Sequence, residues 1–193
     1  MVLTVDIFLP TVAAFPYSGY NPAKKVISML GSTQSPWSKG FNIWMVAVGI
    51  VMVLLGGVFF LYYRQVNRGL AALLFVLFLL HGVGDGILSG LFPLNEENRN
   101  NFTTVHGVAS AVGFTALLLI LPVLAVLEWT SGAAGAALWT LFLFLVGAVA
   151  FVLFAVGNQL HFKKGIFTLE GLWQRTACWV CYLPLMYWLL VRL

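Results

Sequence analysis

Five stretches of this chain stay apolar for about the twenty residues that a helix needs to cross a hydrocarbon core of about 30 Å. They run from Phe41 to Tyr63, Leu70 to Phe92, Val105 to Leu127, Ala133 to Gly157 and Trp173 to Leu193. A segment in lipid must satisfy its own backbone hydrogen bonds, and none of these runs shows the alternation of a barrel strand, so each is expected to be a helix. A sixth run, Val2 to Phe15, is shorter and crosses only with little tilt or a locally thinned bilayer. With 61% apolar and 8% charged residues and a mean hydropathy of +0.97, the chain lies far from soluble domains, and its core is shared with lipid. The expected fold is an all-α integral membrane protein, one transmembrane helical domain over residues 1–193. It is a bundle of six transmembrane helices, the first one short, with a short interfacial helix. The net charge of +4 suits membrane flanks rather than nucleic acid, so no nucleic-acid partner is expected. The start, MVLTVDIFLPTVAAF, lacks a basic leader and contains Asp6 and Pro10, which argues against a cleaved signal peptide.

Between the first two runs lies GYNPAKKVISMLGSTQSPWSKG. Asn21 can cap a helix there, Pro22 suits its first position and Gly31 its end. Val26, Ile27 and Leu30 then share one face and Lys24, Lys25 and Ser28 the other, the pattern of a helix lying in the interface from about Pro22 to Leu30. Cys178 and Cys181, three apart in an apolar run, are expected to be packed, reduced thiols. Trp37, Trp44, Trp129, Trp139 and Trp173 fall near span ends, as an aromatic belt does.

Polar residues are concentrated at one end. His81 and Asp85 lie late in the third run, His106 opens the fourth, Asn158 and His161 close the fifth, and Trp173, Gln174 and Arg175 open the last. Antiparallel helices with short loops bring all of these to one membrane face, together with the interfacial segment, Glu96, Glu97 and Glu170. The opposite face carries Arg64, Arg68, Glu128 and Arg192. Within HGVGDGILSGLFP, His81, Asp85 and Ser89 recur every four residues as a polar stripe, beside a stripe of Gly82, Gly86 and Gly90 that permits close helix approach. An unpaired ionisable group in hydrocarbon costs at least about 2.5 to 3.5 kcal/mol, so Asp85 should reach His81, His106 or Arg175.

YNPAKKVISMLGSTQSP, FN at a span start, GDGILSGLFP, TTVHG and GLWQR occur in succession along nearly the whole chain. This order resembles the membrane family catalogued as domain of unknown function 998, most specifically at Ser28, Gly31, Phe92, Pro93, His106, Gly171 and Arg175. The resemblance implies a six-helix bundle and brings no established reaction with it. The departure from the family pattern is the clipped first span.

The candidate site residues are Ser28, His81, Asp85, His106 and Arg175. They suggest a polar pocket for a lipid headgroup or small amphipathic ligand, with Arg175 and His106 on its anionic part, since guanidinium geometry suits phosphate and carboxylate. In a second reading His81 and Asp85 merely pair, Arg175 and Trp173 anchor the last helix, and the protein is a structural or assembly subunit. In a third, three histidines and Asp85 serve a metal- or His/Asp-dependent lipid hydrolase with Ser28 or Ser89 as nucleophile. No HExxH spacing and no nucleophile elbow supports that chemistry, so no metal, cofactor or catalytic residue is assigned. Expected partners are membrane lipids, and a membrane protein or second copy against Gly135, Gly147 and the alanines of the fifth run. Asn101, Phe102 and Thr103 spell a glycosylation acceptor too close to the next span for use. Counting Lys24, Lys25, Lys39, Arg99, Lys163, Lys164 and Arg175 places the polar face in the cytoplasm, whereas the tight basic turn of Arg64 and Arg68 places the termini there. The turn is the cleaner signal, and the expectation is an extracytoplasmic polar face.

Overall fold

A computed structural model of the chain describes residues 1–94, 103–159 and 164–192. Glu96, Glu97, Arg99, the acceptor at Asn101, His161 and Lys163 lie outside the described residues, as does the side chain of Asn158. The described chain is helical, with no strand. Its elements are α1 (Val2–Ala14), α2 (Ser38–Tyr63), α3 (Arg68–Leu91), α4 (Val105–Thr130), α5 (Ala134–Gln159) and α6 (Glu170–Arg192). Two helix starts are capped as their sequences suggest: Asn67 Oδ1 accepts from Leu70 N–H and Thr104 Oγ1 from Gly107 N–H, each at 3.0 Å. Gly132, with φ of 86°, supplies the left-handed residue in the turn from α4 to α5.

Four of these helices, α2 to α5, are both long and apolar enough to cross a membrane, which makes the chain a multi-pass integral membrane protein. The 13 residues of α1 reach only about 20 Å at 1.5 Å per residue. The 23 residues of α6 reach about 35 Å, but Glu170, Gln174 and Arg175 occupy its first two turns. Successive helices pack side by side from α2 to α6, and α1 rests against α2 and α6. An aromatic cluster lies away from the polar end, where Phe59 meets Trp188 at 4.2 Å and Phe78 at 5.2 Å between ring centres. Trp188 Nε1 donates there to Tyr63 OH at 2.9 Å. Leu141, Phe142, Leu145, Val149 and Val152 of α5 remain exposed, as lipid-facing positions do.

Two local expectations are corrected. The segment expected to be one interfacial helix from Pro22 to Leu30 is instead a turn at Asn21 to Lys25, an extended Val26, and a 3₁₀ turn at Ile27–Gly31. The cause is α6. Arg175 Nη1 donates to the carbonyls of Pro22 at 2.7 Å and Lys25 at 3.1 Å, while Gln174 Oε1 accepts from Ile27 N–H at 2.7 Å. A helix would have used those same main-chain groups itself. The second correction is in α3, whose residues Gly82–Leu88 form a π-helical stretch between α-helical ends. Gly82, Gly86 and Gly90 abut the backbone of α2 at Gly49, Met45 and Asn42, and Gly84 abuts Ala109 and Gly113 of α4. This sandwich leaves no room for a β-carbon on either side.

Candidate functional site

The π-helical stretch carries Asp85 at its centre and widens α3 where helices α1, α4 and α6 converge. Such bulges recur at functional positions. A cavity of about 370 Å³ opens here, and its lining includes Ser28, His81, Asp85, His106 and Gln174. Four of the five candidate residues are thus brought together from three separate parts of the chain. Arg175 is not among the lining residues. Its guanidinium is buried and committed to Pro22, Lys25 and Gly171 carbonyls through Nη1, and to Tyr20 OH at 2.7 Å through Nη2. Gly171, one turn before it, lies directly against the Pro22 and Lys25 carbonyls. The GLWQR and YNPAKKVIS motifs therefore meet as a clamp that seats Val26, Ile27 and Ser28 over the cavity.

Both histidines have assignable tautomers. His81 Nδ1 lies 3.1 Å from Gly113 O, and His106 Nδ1 lies 3.1 Å from Phe92 O and 3.3 Å from Ser89 O. A carbonyl only accepts, so Nδ1 carries the proton in each ring and Nε2 is its basic nitrogen. Asp85 Oδ2 stands 3.8 Å from His81 Nδ1, so the carboxylate has the expected neighbour, yet the imidazole proton is directed at Gly113. Ser89 does not line the cavity; its hydroxyl donates to Gly84 O, five residues back along the π-helical turn, at 3.0 Å.

Asp6 was not foreseen as a site residue. On α1, it lines the same cavity and accepts from Trp44 Nε1 at 2.7 Å and from Tyr182 OH at 3.0 Å. Trp44 therefore departs from the aromatic belt expected of it, whereas Trp37, Trp129 and Trp139 are exposed. A single carboxylate in an otherwise apolar run was the available signal. The same reasoning that marked Asp85 applies to it.

The hydrolase chemistry lacks its geometry among the described residues. No hydrogen bond joins Ser28 Oγ to an imidazole, and no group of three or more His, Cys, Asp or Glu side chains is placed to hold a metal ion. Cys178, on the cavity wall, and Cys181 are free thiols. The wall is otherwise apolar and aromatic, with Phe41, Phe114, Phe151, Phe154 and Trp179. A few polar groups in an aromatic concavity fit binding of an amphipathic molecule. A family model described as a protein of unknown function (DUF998) matches residues 3–191. No curated protein and no solved structure matches the chain.

Proposed function

The chain belongs to the DUF998 family, and from that premise, which brings no reaction with it, we propose that this membrane protein binds a lipid headgroup or small amphipathic ligand in the cavity beneath the Ser28 segment. The carrying observation is one cavity of about 370 Å³ whose polar residues come from α1, α3, α4, α6 and the Ser28 segment and whose remaining wall is aliphatic and aromatic. A packing subunit gains nothing from a hollow there, since protein interiors otherwise close to near-crystalline density. Lining residues Ala111, Thr115 and Trp179 are exposed, which supports an opening toward the lipid for the apolar tail. Arg175 acts indirectly, by holding Ser28 in place.

In the topology that goes with this reading, α1 and α6 also cross, giving six spans, with the cavity face extracytoplasmic. A filled cavity tests binding. Ala155→Phe projects a ring from α5 into it, and the expected result is a folded protein that loses co-purifying lipid in native mass spectrometry and the rise in melting temperature given by lipid extract. An unaltered lipid complement in Ala155→Phe, or no ligand-dependent shift in the unmodified protein, sinks the reading in favour of an assembly subunit.

A further inference from the structure

The cavity is rich in acceptors and poor in positive charge. Among the described residues no lysine or arginine lines it, and the nearby guanidinium of Arg175 directs Nη1 and Nη2 to three main-chain carbonyls and Tyr20, its Nε being buried without a partner. Asp6 takes hydrogen bonds from two neutral donors, which leave its charge uncompensated. Asp85 accepts no hydrogen bond among the described residues, and the imidazole N–H beside it, His81 Nδ1 at 3.8 Å, is turned to Gly113. His81 is 3% exposed, and its Nε2 has no partner among the described residues. Two carboxyl groups and an imidazole acceptor therefore share this hollow with no lysine or arginine among the described lining residues. A charge in such surroundings is balanced by a counter-charge or not carried at all.

We infer that the polar end of the ligand is an ammonium group, so that the cavity selects cationic amphiphiles over anionic ones. This rests on the binding reading above and reverses the polarity that the sequence suggests for Arg175. An ammonium placed against Asp85 neutralises the unpartnered carboxylate, and a primary one also gives His81 Nε2 an N–H to accept. The faces of Phe41, Phe114 and Phe154 add cation–π attraction at its flank and apolar contact for the tail.

The test uses the full-length protein in neutral maltoside micelles, titrated with dodecylamine, dodecyltrimethylammonium or dodecyl phosphate by thermal shift and calorimetry. Both ammonium probes are expected to bind at least about tenfold more tightly than the phosphate, a difference of about 1.4 kcal/mol. Asp85→Asn should remove that preference while leaving the ligand-free melting temperature near that of the unmodified protein, and Asp85→Glu should restore it. Should Asp85→Asn fail to fold, the preference of the unmodified protein and of Asp85→Glu decides. Equal or tighter binding of the phosphate, or an ammonium preference untouched by Asp85→Asn, overturns the charge assignment and leaves the cavity a binding site. Tetramethylammonium, a head without a tail, should bind at least about tenfold more weakly than dodecyltrimethylammonium; equal affinity assigns the cavity to small tailless ammonium ions instead and overturns the amphiphile. Failure of all the alkyl probes overturns the binding reading itself.

Discussion

Arg175 shows how one buried side chain can organise a membrane protein from beside its cavity, and Asp6 how one can do so from the cavity wall. Arg175 replaces, for the segment from Pro22 to Lys25, the hydrogen bonds a helix would have provided. Removing it deprives the partly buried Pro22 carbonyl of its charged donor and leaves the Lys25 carbonyl to Tyr20 OH, a loss of about 1–3 kcal/mol. Arg175→Met should therefore lower the melting temperature and open the segment to trypsin at Lys24 and Lys25, with Arg175→Lys intermediate because an ammonium cannot reproduce the planar fork. A variant that melts normally and resists trypsin, yet loses anionic lipid, would return Arg175 to the role its sequence position suggests. At Asp6 the two donors are separable. Trp44→Phe and Tyr182→Phe each delete one neutral hydrogen bond to a carboxylate, and each is expected to destabilise by about 1–3 kcal/mol in a chemical melt. Their double mutant should lose less than the sum if Asp6 takes up a proton once either donor is gone, and more than the sum if each donor cushions loss of the other. Strict additivity would show the two contacts to be independent.

At the scale of elements, α3 is the hinge between fold and site. Its four close glycines let α2 and α4 press against the π-helical stretch from both sides, and this contact places Asp85 in the cavity. Gly113 and Gly49 are the reciprocal positions, where a β-carbon would run into the backbone of Asp85 and of Gly82. Gly57, on the same helix as Gly49, has nothing within 4 Å of an added β-carbon. Gly49→Ala and Gly113→Ala should each cost about 1–3 kcal/mol by overpacking, and Gly57→Ala should be neutral or slightly stabilising. Thermal melts of the three variants in one detergent check this contrast, and equal effects would mean the close approach is not what holds α3. The apolar length of α3 was readable directly, because a span is a local property of about twenty residues. Its π-helical interior was not, because that depends on two neighbouring backbones pressing on it.

For the whole molecule, the larger cavity lies at the polar end, and the aromatic cluster lies at the other end beside a smaller hollow of about 250 Å³ lined by Tyr63, Glu128 and Trp188. The aromatic end is built on Phe59, Phe78 and Trp188 and should carry most of the global stability. Topology belongs to this scale as well. With the cavity face extracytoplasmic, Asn98→Cys should react with an impermeant thiol reagent in intact cells, above the background of the two native thiols. Protection until permeabilisation would place that face in the cytoplasm and would agree instead with the count of its positive charges.

The sequence by itself determined that this chain lives in a membrane, where its apolar helices begin and end within a few residues, and that its ionisable groups gather at one end. These are consequences of local free energies, apolar length and the cost of charge in lipid, which any window of the chain expresses without its neighbours. Only the tertiary structure decided what the polar residues do. Whether Arg175 faces a ligand or a carbonyl depends on which main-chain groups the segment from Pro22 to Lys25 leaves unpaired beside α6. Likewise, Asp6 and Asp85, far apart in the chain, become one site only through the rotation of α1 and α3 about their axes. A hydrogen bond is directional and short-ranged, so its partner is fixed by packing that no stretch of sequence contains.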